Sequence, residues 1–116
     1  MVEGVARSFG ITATLNVIEG YPVLVNNPVL VDHVVTCAKK ILGEGNVHSG
    51  LPRMGAEDFA YFCQKWGGVM VGIGCHDPSK GFQHGLHSPY FDLDERVLEV
   101  GVRLFGNILT NYLEIH

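Results

Sequence analysis

Basic side chains, long apolar runs and paired cysteines are all scarce in this sequence of 116 residues. Lys and Arg number 8 against 12 Asp and Glu, a net charge of -4, which excludes the clustered basic surface of a nucleic-acid-binding protein. No apolar run approaches the roughly 20 residues that span a bilayer. The chain does not open with the basic and apolar segments of a signal peptide. Three cysteines without a Cys-x-x-Cys spacing indicate free thiols in a reducing compartment. We therefore expect a cytoplasmic protein that binds neither nucleic acid nor membrane.

Hydrophobic residues make up 47% of the chain, which suits one folded domain with a core. The first part of the sequence predicts short elements ahead of a long helix. Residues 1–9 suit the end of a helix, residues 11–17 alternate as a strand does, and residues 23–25 form a second extended piece. Asn27 followed by Pro28 is typical of a helix start. Apolar residues then recur at helical spacing over roughly four turns, and Gly43 and Gly45 predict the end of this helix.

The second part of the sequence alternates helical and extended patterns. Residues 56–66 suit a helix, and the apolar run at residues 69–73 suits a buried strand. A long polar loop at residues 75–91 follows. Asp92 and Glu95 then match a capping box, which predicts the start of a final helix with a broad apolar stripe.

Strands that alternate with helices predict an α/β fold, in which helices cover a sheet. Two or three strands with four helical segments make a poor self-contained sheet. The pattern therefore favours part of a larger protein.

The long loop at residues 75–91 concentrates the candidate chemistry, because loops of this length usually have a functional reason. His87 lies near its end, and histidine is the commonest metal ligand among side chains. Pro89 restricts the backbone of Ser88 to extended geometry, which stiffens the chain beside the imidazole. The alternative is an ordinary surface histidine in a turn. A compact zinc site is also open, although its spacing matches no usual framework; it would use Cys75, His76, His84 and His87.

Two carboxylates at a predicted helix start form the second candidate feature. Glu57 and Asp58 follow Gly55 and could simply complement the helix dipole. Alternatively, the glycine lets the backbone approach a ligand while a carboxylate orients a metal-bound histidine or holds substrate.

Two motifs together carry a resemblance to a known family. Residues 52–62 (PRMGAEDFAYF) resemble the MG(S/A/G)EDF signature of a metallopeptidase family, and residues 86–92 (LHSPYFD), with Glu95 and a long helix after them, resemble its second motif. The family includes aminoacylase, hippurate hydrolase and auxin-amide hydrolase enzymes, distant relatives of carboxypeptidase G. Residues 20–28 look like its crossing from the lid domain back to the catalytic domain.

The resemblance implies a position within a longer enzyme. Residues 1–25 would be the end of a lid, or dimerisation, domain, and residues 26–116 the C-terminal part of a phosphorylase/hydrolase-like catalytic domain with a sheet flanked by helices. His87 would be the one metal ligand from this segment. The other ligands and the water-activating glutamate of the family lie in the N-terminal half. Gly55, Glu57 and Asp58 would lie near substrate or behind the ligands.

The activity that the resemblance implies is hydrolysis of amide bonds in N-acyl amino acids or small peptides. It implies two divalent ions, zinc or manganese, with cobalt and nickel also able to accept such ligands. The chain alone is then expected to be incomplete and inactive, and its partners would be a complementary N-terminal fragment or further copies of itself. Two alternatives remain: a non-catalytic binding or assembly module that keeps the fold, and a small metal-binding loop protein.

Overall fold

The computed structural model describes residues 1–115, and its described part is built from helices joined by long extended segments. The α-helices are α1 (Val2–Ser8), α2 (Pro28–Leu42), α3 (Phe59–Trp66) and α4 (Arg96–Ile115). Two short 3-10 turns lie at Glu44–Asn46 and Pro78–Lys80. None of the described helices combines the length and apolar composition that crossing a bilayer requires.

Helix α2 begins and ends at the residues that the sequence predicts. The Asn27 side chain accepts hydrogen bonds from the amides of Val29 (3.0 Å) and Leu30 (3.2 Å), with Pro28 in the first turn. These bonds satisfy two amides that have no partner within the helix. Gly43 ends the helix with a φ of 83°, which glycine adopts without steric cost.

The core of the described chain lies between α2 and α4. Cys37 and Ala38 of α2 are buried against Leu104 of α4, and Ile41, Val47 and Ile108 pack around them. His33 joins the same two helices, because its Nε2 lies 3.0 Å from the carbonyl oxygen of Ile108. A carbonyl only accepts, so the His33 nitrogen at this contact carries the proton.

Two predicted helix starts are corrected by the hydrogen bonds. Helix α3 begins at Phe59 and not at residue 56. The Phe59 amide has no partner within the helix and donates instead to Glu57 Oε1 at 3.1 Å. The predicted capping box of Asp92 and Glu95 is wrong. Asp94 accepts from the Arg96 amide at 3.1 Å, whereas among the described residues the Asp92 carboxylate accepts only from the amide of its neighbour, Leu93.

The predicted sheet is not confirmed, since residues 1–115 contain no strand. The segments expected as strands, residues 11–17, 23–25 and 69–73, are irregular. One side chain takes the place of a neighbouring strand: Asn26 donates to the Met70 carbonyl (3.0 Å) and accepts from the Met70 amide (2.9 Å). A strand needs a ladder of hydrogen bonds to a neighbouring segment, and between these segments and their flanking residues the described chain makes a single backbone bond, from the Asn27 amide to the Gly68 carbonyl at 2.8 Å.

The described chain is far more extended than a compact protein of the same length. Its Cα radius of gyration is 20.8 Å, whereas a compact chain of this length has about 13 Å. Its accessible surface is 9882 Å², against about 6,200 Å² for a folded protein of its mass. Much of the exposed surface is apolar, including Val17, Trp66 and Leu113. These side chains form faces that nothing in the described chain covers.

Candidate functional site

His87 occupies an unusual backbone position in an exposed turn. Its φ is 69°, the only positive value at a non-glycine residue among those described. The Ser88 amide donates to the Gly85 carbonyl at 3.2 Å, so His87 is the third residue of a four-residue turn. A positive φ at that position alone defines a type II turn, which usually has glycine or asparagine there. The sequence therefore places an imidazole where the backbone conformation is costly.

The turn that follows is closed by Ser88. Its carbonyl accepts from the Phe91 amide at 3.0 Å, and its hydroxyl accepts from the Tyr90 amide at 3.2 Å. The rings of His84 and Tyr90 lie 5.6 Å apart and contact each other across the loop. Consecutive turns with a ring contact give this loop a defined shape, although it has no regular secondary structure.

A cluster of charged side chains joins the beginning of this loop to α4. Asp77 and Phe82 exchange two backbone hydrogen bonds of 2.8 and 3.0 Å, which form a small hairpin. Lys80, within the hairpin, pairs with Asp77 at 3.3 Å and with Asp94 at 2.9 Å. Arg96, the first residue of α4, also pairs with Asp94. Asp94 is therefore shared by two cations from different segments.

The electrostatics of this cluster follow from the same contacts. Hydrogen bonds from Arg96 and then Lys80 hold the pKa of the Asp94 carboxyl well below its usual value. The Ser79 hydroxyl, followed by Lys80, lowers the pKa of Asp77. Asp94 in turn raises the pKa values of Lys80 and Arg96. All four groups are therefore charged across the neutral range.

The predicted carboxylate pair lies at the start of α3. Glu57 is half-buried and uses its carboxylate on the Phe59 amide, whereas Asp58 is exposed and makes no capping bond with its side chain. A Cβ atom built on Gly55 would have open space around it. Within the described chain, the dipole interpretation is sufficient for Glu57, and close packing does not require the glycine.

The structure does not assemble the predicted site residues into a metal centre. Among residues 1–115, no group of three or more His, Cys, Asp or Glu side chains could hold a metal ion. The compact loop site of Cys75, His76, His84 and His87 is therefore not formed. Nor does a hydrogen bond or ion pair, within the same range, join His87 to Glu57 or Asp58. His87 contributes one potential ligand, and Glu57 and Asp58 lie immediately before α3, in a different segment of the chain.

Sequence reasoning missed the cluster at Asp94. Two aspartates, Asp92 and Asp94, precede α4, and each is a plausible helix cap. The proximity of Arg96 was a local signal in favour of Asp94. The contact with Lys80, 14 residues earlier, has no signature in the sequence.

Comparison with known proteins places these features in a family. The family described as "Peptidase family M20/M25/M40" matches this chain over residues 5–111. The protein YhaA of Bacillus subtilis (strain 168), which is named as an amidohydrolase, is 30% identical over 99% of this chain and 29% of its own length. An uncharacterized hydrolase of Staphylococcus aureus (strain MRSA252) is 32% identical over 99% of this chain and 30% of its own.

A plant protein shows the same relation. IAA-amino acid hydrolase ILR1-like 6 of Arabidopsis thaliana is 32% identical over 90% of this chain and 24% of its own length. The chain thus spans less than a third of the relatives it matches. No solved structure matches it at a comparable level. Since the match covers nearly every described element from α1 to α4, the chain belongs to the M20/M25/M40 peptidase family.

Proposed function

We propose that this chain is the C-terminal part of a metal-dependent amidohydrolase that cleaves the amide bond of N-acyl amino acids or small peptides. The family match over residues 5–111 carries the proposal. The names of two relatives support the bond class, since one is an amidohydrolase and the other a hydrolase of IAA-amino acids. The described chain does not contain the whole ligand set.

His87 is the proposed metal ligand of this segment. Its imidazole is exposed, and it lies on a turn whose backbone is fixed ahead of α4. Catalytic zinc sites use about three protein ligands, so one imidazole does not hold the ion. The remaining ligands, for two ions of zinc or manganese with cobalt or nickel as alternatives, therefore come from outside the described residues. Such ions supply an activated water and polarise the carbonyl when bound.

The uncovered apolar surface supports a complementary polypeptide. The accessible area of 9882 Å² exceeds the value for a folded protein of this mass by about 3,700 Å². Permanent interfaces bury about 2,000–5,000 Å² in total, counting both partners. An excess of this size on one chain fits the missing part of a catalytic domain, or a further copy of the chain. In this proposal residues 1–25 belong to the lid domain, and residues 26–116 complete a sheet flanked by helices.

We also propose a role for the carboxylates that precede α3. Glu57 and Asp58, with Gly55 before them, lie near substrate or behind the metal ligands in the complete site. Glu57 already orients its carboxylate through the Phe59 amide.

All three cysteines are free thiols in the structure, which supports a reducing compartment such as the cytoplasm.

Hydrolysis of N-acetyl and N-benzoyl amino acids tests the proposal. The purified chain alone should release no amino acid. A chimera in which this chain replaces the matched segment of YhaA should hydrolyse the substrates that unmodified YhaA does. His87→Ala should abolish the activity of the chimera, whereas His76→Ala, which removes another exposed imidazole of the same loop, should leave it in place.

Two results would contradict the proposal. Robust turnover by the isolated chain would show that its own residues suffice for the chemistry. A folded chimera that keeps its activity after His87→Ala would remove His87 from the metal site.

A non-catalytic assembly module is the second candidate, and the exposed apolar surface is the observation that favours it. Under this function the chain associates through its apolar faces, and His87 has no part in the association. Sedimentation of the wild-type chain and of His87→Ala should then give the same assembly. A change in assembly or melting temperature that needs divalent metal, and that His87→Ala removes, would contradict this candidate.

A further inference from the structure

We propose that Lys80 and Asp94 are positioning residues for His87: their ion pair is a clasp that closes the base of the loop and holds its turn in shape. The importance of that turn for metal binding rests on the proposed function. The ordering of the turn does not, so the two are tested separately.

The geometry places the clasp at both ends of the loop. The chain leaves the hairpin at Phe82 and returns at Asp94, and His87 lies between them. Lys80 Nζ, on the hairpin side, lies 2.9 Å from Asp94 Oδ2 on the return side. The two hydrogen bonds between Asp77 and Phe82 make the hairpin a firm base for the lysine. The loop is therefore tied across its base.

The pair differs from an ordinary surface ion pair in its neighbours. The Asp94 side chain is 17% exposed, and its carboxylate also accepts from the Arg96 amide and guanidinium. Lys80 Nζ has a second carboxylate at Asp77, 3.3 Å away. One carboxylate thus joins the hairpin, the end of the loop and the first turn of α4. A network of this kind restricts motion more than an isolated exposed pair does.

His87 needs such support because its own side chain supplies none. Within the described chain, no hydrogen bond fixes its imidazole, and its φ of 69° is a costly conformation. A residue keeps a costly backbone conformation only where the surrounding structure holds it there. The turn bonds of Gly85 and Ser88 act locally, and the clasp fixes the two ends between which those bonds form.

Amide hydrogen exchange at Ser88 reports the turn directly, since that amide donates the hydrogen bond that closes it. In the full chain, Lys80→Met and Asp94→Asn should each speed exchange by about two- to fivefold, the range expected for such a pair. Asn at 94 still caps α4, so its effect reports the lost charge. Lys80→Arg, which keeps the cation, should restore slow exchange. Glu99→Gln, which breaks an exposed pair with Arg103 on α4, should have no effect.

Titration with zinc ions, followed at the His87 ring by NMR, separates the two proposals. Faster Ser88 exchange in the clasp variants, with helical circular dichroism unchanged, supports the clasp whether or not zinc perturbs the ring. If zinc leaves the NMR signals of the His87 ring unchanged in a folded YhaA chimera, only the proposed ligand role of His87 is refuted. Unchanged Ser88 exchange in both Lys80→Met and Asp94→Asn overturns the clasp, and so does equal exchange in Lys80→Met and Lys80→Arg.

Discussion

Replacing His87 by glycine should strengthen its turn while removing the imidazole. At a φ of 69°, a residue with a Cβ atom meets its own carbonyl at a cost of about 1–2 kcal/mol. Glycine avoids that cost but loses about 0.5–1 kcal/mol more conformational entropy when ordered. The net gain is about 0.5–1 kcal/mol, which corresponds to a two- to fivefold shift toward the closed turn.

The exchange rate of the Ser88 amide measures this gain, once it is corrected for the intrinsic rate of each sequence. The rate should fall in His87→Gly. It should not fall in His87→Ala, because alanine has neither the freedom of glycine nor the tolerance that histidine and asparagine show for this conformation. His87→Asn should resemble the wild type. All three variants should abolish hydrolysis in the YhaA chimera, since none has an imidazole.

A tighter turn together with a loss of activity in His87→Gly would show that the backbone conformation and the imidazole of His87 contribute separately. Faster exchange in His87→Gly than in the wild type would refute the left-handed conformation. Activity that tracks turn stability across the three variants, and not the presence of the ring, would refute the ligand role.

Three further predictions concern packing and charge. The Leu104 side chain is 4% exposed, so Leu104→Ala should lower the free energy of unfolding by about 3 kcal/mol in urea denaturation. The Leu98 side chain is 62% exposed, and Leu98→Ala should lower it by under about 1 kcal/mol. Equal losses would contradict the α2–α4 core. Gly68→Ala should destabilise the chain by about 1–3 kcal/mol, because the new Cβ would lie 2.9 Å from a sulfur on α3, whereas Gly72→Ala has open space and should be neutral. Since bonded cations lower its pKa, the Asp94 carboxyl should stay ionised as the pH falls through about 3.9, and its stabilising effect should disappear only at lower pH; a carboxyl carbon shift that titrates above that value would contradict the pairing.

Local signals were enough to predict the features that depend on adjacent residues. Asn27 and Pro28 fixed the start of α2, and Gly43 its end, because caps use atoms within a few positions. The start of α4 was misassigned to Asp92 because two neighbouring aspartates, Asp92 and Asp94, both satisfy the N-cap rule. The pairing of Lys80 with Asp94 depends on how the loop folds back, and no local pattern encodes it.

The segments predicted as strands show a different kind of failure, and it bears on function. Residues 11–17 alternate as a half-buried strand should, with Ile11, Leu15 and Val17 on one side and polar residues between them. In the structure these three side chains are 61%, 60% and 72% exposed. Alternation of this kind stabilises a chain only when its apolar side is covered. The sequence therefore encodes a surface that the described chain does not bury. The proposed complementary polypeptide would supply that cover, and the relatives, which are more than three times as long as this chain, contain enough further sequence to provide it. The same argument applies to the proposed role of His87: the turn that presents the imidazole is built within this chain, while the described residues form no group of ligands that could hold a metal ion.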